Sequence, residues 1–227
     1  MNENPYLSGA RIALPVILGY LPVGFAFGIL AAQAGMHPVE VGLMSYFVYA
    51  GSAQLIAASL LSGGTSFLAI ILMTFVVNLR HLLMSAAMIP YLKNWSKTKQ
   101  AWFAFEMTDE TFALNLSRFV NFGVRQKEVL STNFFAHLGW TLGGIGGALF
   151  GDTLADIKPF GLDYALTGMF IALVLPHIKI KRNLLAVISG GTLSILLALA
   201  GAGQYNVLIA AAIAATIAAA VPLKNKA

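Results

Sequence analysis

The chain has 227 residues, of which 58% are hydrophobic and 10% charged, with a mean hydropathy of +0.78. So apolar a composition excludes a water-soluble domain and predicts an all-α integral membrane protein. The absence of cysteine excludes a disulfide framework and thiolate metal sites, and the net charge of +5 sits in short basic runs between apolar blocks, which is membrane-topology charge rather than a nucleic-acid surface.

Runs of about 20 apolar residues can cross about 30 Å of hydrocarbon as helices. Seven are predicted, over residues 10–32, 38–61, 66–90, 129–151, 161–178, 184–202 and 206–222. The first contains Pro15, Gly19, Pro22, Gly24 and Gly28. Its Ala32-Gln33-Ala34 mimics a signal-peptide cleavage site. However, the preceding MNENPYLSGAR sets one Arg against one Glu and the apolar run is long and proline-broken, so it is expected to remain a span. The second run holds YFVYAGSAQLIAAS, residues 46–59, where Ser45, Tyr49 and Ser52 share one helical face and Gly51 and Gln54 another. Its small residues either let a neighbouring helix approach, with Gln54 hydrogen-bonding across, or leave room for a ligand.

The third run, MTFVVNLRHLLMSAAM over residues 73–88, places Thr74, Asn78, His81 and Ser85 on one stripe, which is expected to face protein or water. Arg80 lies about 15 Å of helical rise before Pro90. A guanidinium so deep costs from about 3 to more than 10 kcal/mol unless it meets an anion, backbone carbonyls or a watery cavity. Two readings follow: a permanent salt bridge locking helices, or a cation that meets a substrate carboxylate and trades it for an internal one. His81 is either a hydrogen-bonded interior histidine or a proton carrier.

Residues 91–128 form the predicted loop, with Lys93, Lys97, Lys99, Arg118, Arg125 and Lys127. Within it, FAFEMTDETFALNL carries Glu106, Asp109 and Glu110, with Glu106 and Glu110 at the unfavourable like-charge spacing i, i+4. Thr108 followed by two acids suits a helix N-terminus. The sharper alternative makes Asp109 or Glu110 the partner of Arg80 or a proton carrier.

The fourth run echoes the first: LGWTLGGIGGA (138–148) aligns with LGYLPVGFAFG (18–28), pairing Gly19 with Gly139, Tyr20 with Trp140 and Gly24 with Gly144. An offset of three spans predicts an inverted-topology pair, with helix breaks at Pro22, Gly24, Gly143 and Gly144 forming a midplane site. Close helix packing is the commoner use of this spacing and is expected of most of these glycines, with the pairing across halves supporting the breaks. Lys179, Lys181 and Arg182 follow the fifth run, and Lys224 and Lys226 follow the seventh, whereas Asp152, Asp156 and Asp163 with Lys158 lie on the other side. The positive-inside rule therefore makes the 91–128 loop and the C-terminus cytoplasmic and the N-terminus external. The expected organisation is a single transmembrane domain over residues 1–227. Its first repeat half spans about 10–90, its second about 129–202, and an added helix spans about 206–222.

Three motifs stand in order: YAGSAQ in the second run, NLRHLLM in the third and TDETFAL after the basic residues, preceded by PVILGYLPVGFAFG in the first. Together they resemble the AzlC family of branched-chain amino acid permeases, over about residues 10–222. The resemblance implies an exporter of valine, leucine, isoleucine and methionine in the cytoplasmic membrane, working with a small hydrophobic membrane subunit of AzlD type. The motif residues it carries over are Tyr49, Gly51, Ser52, Gln54, Asn78, Arg80, His81, Thr108, Asp109 and Glu110.

An apolar amino acid needs a cation or helix N-terminus for its carboxylate, an acceptor for its ammonium and an apolar pocket. Arg80 or an interrupted helix suits the first, Gln54, Ser52 or an acid the second, and Phe25, Phe47 and Met84 the third. No nucleotide-binding loop is present and His37, His137 and His177 lack metal-ligand spacing, so neither cofactor nor metal is expected. An ion gradient then drives transport, with protons carried by His81, Asp109 or Glu110. The competing classes are an intramembrane hydrolase using Ser52 with His81 as base, and a non-transporting structural subunit.

Overall fold

A computed structural model describes residues 4–151, 181–201 and 206–221, with positions 171, 174, 175 and 178 between them. All secondary structure among the described residues is helical. The chain divides into two compact units, Met1–Ala165 and Leu166–Ala227.

In the first unit α1 spans Pro5–Gln33, started by Pro5 in its first turn and by the Asn4 side chain accepting from the Tyr6 amide at 3.0 Å. It continues through Pro15 and Pro22. Its partner is α7, Gln126–Phe150, which likewise continues through Gly143 and Gly144. The helix breaks expected at Pro22, Gly24, Gly143 and Gly144 are therefore absent, and these glycines instead form a packing seam. A Cβ on Gly24 would lie 2.9 Å from the Trp140 carbonyl oxygen, and one on Gly28 would collide with the carbonyl of Gly144. Only glycine lets the two backbones approach this closely.

The interruption lies one span later. The run predicted over 38–61 folds as α2, Pro38–Phe47, and α3, Gly51–Ser62, separated by Val48, Tyr49 and Ala50. A capping box starts α2, with the His37 amide donating to Glu40 at 2.7 Å and the Val39 amide donating to His37 Nδ1 at 3.3 Å. The next helix, α4, spans Phe67–Leu92 and buries little of itself, leaving Phe67, Leu68, Leu82 and Leu83 exposed. Such a surface is suited to lipid or another membrane chain rather than water.

Residues 91–128 are not a plain loop. They contain α5, Lys97–Phe105, and α6, Asp109–Asn121. Met88, Leu92, Phe103, Met107 and Val129 form a core that fastens this segment to α4 and α7. Its turn at 106–108 reaches Tyr20 on α1, about 22 Å of helical rise from Pro5.

In the second unit, α8 is Lys181–Leu199 and α9 is Asn206–Ala220. Ala210, Ala214 and Ala218 make the buried stripe of α9, and a Cβ on Gly190 of α8 would sit 3.3 Å from that of Ala214. Asn206 Nδ2 donates to the Ser194 carbonyl at 3.3 Å. Among the described residues α1, α4 and α8 are long and apolar enough to cross a membrane, and α3 and residues 209–220 of α9 are shorter apolar helices. Of the run predicted over 161–178 only positions 171, 174, 175 and 178 are described, and Asp152, Asp156, Lys158, Asp163, His177, Lys179, Lys224 and Lys226 lie outside the described residues.

Candidate functional site

The helix interruption between α2 and α3 sets the geometry. Tyr49 adopts φ +41°, a left-handed conformation unusual for a residue with a side chain, while its ring is buried. Ala50 offers no side-chain cap, so the first amides of α3 have no capping side chain. Gln54 and Trp140 hold the break in place. Gln54 Oε1 accepts from Trp140 Nε1 at 3.0 Å and from the Ala50 amide at 3.2 Å. Gly51 is needed for that approach, because a Cβ there would meet Trp140 Cη2 at 2.8 Å. Gln54 is fully buried, and its Nε2 has no hydrogen-bond partner among the described residues.

Arg80 reaches into this region from α4. Its Nη1 lies 2.8 Å from Asp109 Oδ2 at the start of α6, and its Nη2 donates to Ser52 Oγ at the start of α3. The guanidinium thus joins two helix N-termini whose dipoles favour negative charge. The pair is not sealed: the Arg80 and Asp109 side chains are 28% and 25% exposed. Arg80 Nε, Asn78 Oδ1 and His81 Nε2 are buried without hydrogen-bond partners among the described residues.

The TDE motif is organised by its cap. Thr108 Oγ1 accepts from the Thr111 amide at 3.3 Å, and Thr111 Oγ1 accepts from the Thr108 amide at 2.8 Å. Tyr20 OH donates to Glu110 at 2.7 Å and is also hydrogen-bonded to Thr108 Oγ1. Glu106 and Glu110 consequently do not share a helical face. The chain breaks between them, sending Glu110 to Tyr20 and Glu106 towards His137. The Tyr20 ring meets Trp140 and Tyr49 edge-on, at centroid distances of 5.5 and 6.3 Å.

The predicted residues Tyr49, Gly51, Ser52, Gln54, Arg80 and Asp109 therefore converge, with Glu110 beside them. Tyr20, Trp140 and His137 join the region without being marked as site residues by the sequence, and Glu106, marked there as one of three neighbouring acids, is separated from Glu110. The echo pairing Tyr20 with Trp140 was the available signal, since both rings meet at this point. His137, which lacks metal-ligand spacing, stacks on Tyr49 with 3.9 Å between ring centroids. Ser52 Oγ accepts from Arg80 Nη2, which ties the start of α3 to α4.

A second ionic cluster lies just before the apolar run of α7. Glu128 Oε1 accepts from Arg118, and Oε2 accepts from Ser8 at 2.7 Å and Arg125 at 2.8 Å. Burial by itself raises the carboxyl's pKa, but the hydrogen bonds from Arg125, Ser8 and Arg118 and the charge of Arg118 outweigh it and hold the group down to about 2.

Long apolar helices and, within the first unit, a buried polar cluster mark a helical membrane protein with an arginine-centred candidate site at a helix break. Residues 15–154 match the family described as AzlC protein, and the chain belongs to that family. It is 28% identical to the inner membrane protein YgaZ of Escherichia coli, covering 90% of this chain and 84% of the relative. It is 27% identical to the branched-chain amino acid transport protein AzlC of Bacillus subtilis, covering 88% and 79%, and 31% identical to a membrane protein of Archaeoglobus fulgidus, covering 91% and 90%. No solved structure matches the chain.

Proposed function

We propose that this chain is a secondary transporter that exports valine, leucine, isoleucine and methionine across the cytoplasmic membrane in exchange for protons. The reading rests on one observation above the others: Arg80 held between Ser52 at the N-terminus of α3 and Asp109 at the N-terminus of α6. Asp109 occupies the position that a substrate carboxylate would take. A zwitterion inserted into this pair places its carboxylate on Arg80 and the amides of α3 and its ammonium on Asp109, so each charge exchanges one partner for another. Tyr49 and Gln54 lie at the same helix break, Asn78 lies two residues before Arg80 on α4, and in this reading Phe25, Phe47 or Met84 would have to turn towards the substrate to supply its apolar surface. The name of the Bacillus subtilis relative supports the substrate class, and that of the Escherichia coli relative supports the membrane.

In this reading the seven apolar runs cross the membrane as an inverted pair of three plus one helix within a single transmembrane domain, with a cytoplasmic C-terminus. The exposed apolar face of α4 suits a small hydrophobic subunit of AzlD type. The test is efflux of labelled leucine, valine or methionine from proteoliposomes containing the chain, with and without that subunit, under an imposed pH gradient. Gradient-dependent efflux is expected; efflux at the leak rate in every condition overturns the reading.

A further inference from the structure

Glu106 has 0% exposure, and neither carboxylate oxygen has a hydrogen-bond partner among the described residues. His137 from α7 is equally withdrawn at 4% exposure, with Nδ1 3.8 Å from Glu106 Oε1 and Nε2 without a partner among the described residues. The imidazole stacks against Tyr49 and, at 5.2 Å, against Tyr46. A buried carboxylate with no donor is costly, and so is a buried imidazolium with no anion. We propose that Glu106 and His137 together form the proton-binding site of the transport cycle, holding one proton while Arg80 is paired with Asp109 and releasing it to water when substrate opens that pair.

Charge counting supports this assignment. With one proton the pair is neutral overall, as carboxylic acid and imidazole or as carboxylate and imidazolium. With none it buries a negative charge, and with two a positive one. A single proton is thus the state the closed cluster favours. The other groups near the pair are already engaged: Asp109 with Arg80 from α4, and Glu110 with Tyr20 from α1. Tyr49 contributes a neutral phenol from the helix break, and His81 lies on α4 one residue beyond Arg80. Release leaves the proton in water and the carboxylate facing a wetter cavity, with no other bond changed.

The link to substrate is the chain itself. Met107 and Thr108 alone separate Glu106 from Asp109, and Thr111 Oγ1 donates to the Glu106 carbonyl at 3.3 Å. Displacing Asp109 from Arg80 therefore moves the start of α6 and the surroundings of Glu106 together. A carrier that holds either substrate or proton is an antiporter, which is what export against an inward proton gradient requires.

This inference rests on the transport reading, and the experiment separates the two. In proteoliposomes containing the small subunit, Glu106→Gln is expected to lower pH-driven net leucine transport at least about tenfold and to leave leucine exchange that no longer varies with pH. In weakly buffered detergent with a pH-indicating dye, the wild type is expected to release about one proton per leucine bound, and His137→Gln markedly less. Absence of leucine exchange in the wild type overturns the transport reading. Wild-type exchange, with Glu106→Gln keeping its pH dependence, overturns the proton pair alone. Should Glu106→Gln not accumulate, the dye measurement decides: no proton release by the wild type, or undiminished release by His137→Gln, overturns it.

Discussion

Asp109 and Glu128 each sit in the first turn of a helix and each meets an arginine, yet their surroundings differ. Glu128 is buried and its two oxygens take hydrogen bonds from Arg118, Arg125 and Ser8, drawing the starts of α1 and α7 and the end of α6 together. The Arg80–Asp109 pair is about a quarter exposed and stands among several buried polar atoms without partners among the described residues, including Arg80 Nε, Asn78 Oδ1 and Gln54 Nε2, whereas at the Glu128 cluster Arg118 Nη1 is such an atom but both carboxylate oxygens are engaged. Nearly the same ion-pair chemistry thus serves two ends. A carboxylate whose hydrogen bonds are all supplied by the protein gains nothing from a ligand and acts as a clamp. A cluster with unmet donors and acceptors gains most when a polar ligand enters.

The largest expected effect breaks the site half of this contrast. Arg80→Gln removes the charge that both Asp109 and a substrate carboxylate need, and leucine efflux is expected to fall about 100-fold, with Arg80→Lys restoring only part of it. The check is efflux normalised to protein that elutes as a single folded species. Intact efflux combined with failed assembly with the small subunit would favour the purely structural role for Arg80. At the clamp the expectation reverses. Glu128→Gln is expected to destabilise the fold by about 3 kcal/mol, because it removes the carboxylate charge that faces the largely buried Arg118, while efflux per folded molecule changes less than about twofold. Thermal unfolding in detergent alongside efflux measures both.

Acid titration separates the regions further. Glu128 has a folded-state pKa of about 2 against an ordinary 4.5, so its contribution is fully present above 4.5 and is lost as pH falls from 4.5 towards 2. The wild type is therefore expected to converge in stability with Glu128→Gln over that window, and to keep its advantage at pH 6 to 7. An unchanged gap between the two at pH 3 would show that the clamp's charge is not the source of its strength.

The sequence made the helical membrane class legible through run length and composition, and it marked Arg80, Ser52, Gln54 and Asp109, because polar groups in apolar runs need partners. It misplaced the helix break. The prolines of α1 and the glycines of α1 and α7 allowed either interruption or packing; a proline costs one internal hydrogen bond and the helix can continue, and the glycines that face another backbone serve packing, the use expected of most of them. The actual break falls on Tyr49, a residue with no local propensity for a left-handed turn, and is held there by Trp140 and Gln54 from elsewhere in the chain. The pairing of Glu106 with His137 was hidden for the same reason. Their relation spans 31 residues and depends on a chain reversal at Met107 and Thr108 that charge spacing alone represents as continuous helix.

The smallest expected effect tests the glycine seam on which both ionic regions stand. Gly19 and Gly24 lie five residues apart on α1, and each is paired with a glycine of α7 in the internal echo, so the sequence ranks them alike. Their surroundings do not. A Cβ on Gly24 meets the Trp140 carbonyl at 2.9 Å and the Gly144 amide nitrogen at 3.3 Å, both backbone atoms that cannot swing aside, whereas a Cβ on Gly19 meets nothing within 4 Å. Gly24→Ala is therefore expected to lower stability by about 1–3 kcal/mol and, by pushing Trp140 away from Gln54, to reduce efflux as well. Gly19→Ala is expected to shift stability by no more than about 1 kcal/mol, in the favourable direction, since alanine is the better helix former. Equal losses for the two variants in thermal unfolding would mean that close backbone approach is not what these glycines provide, and the support assigned to the helix break through Trp140 would fall with it.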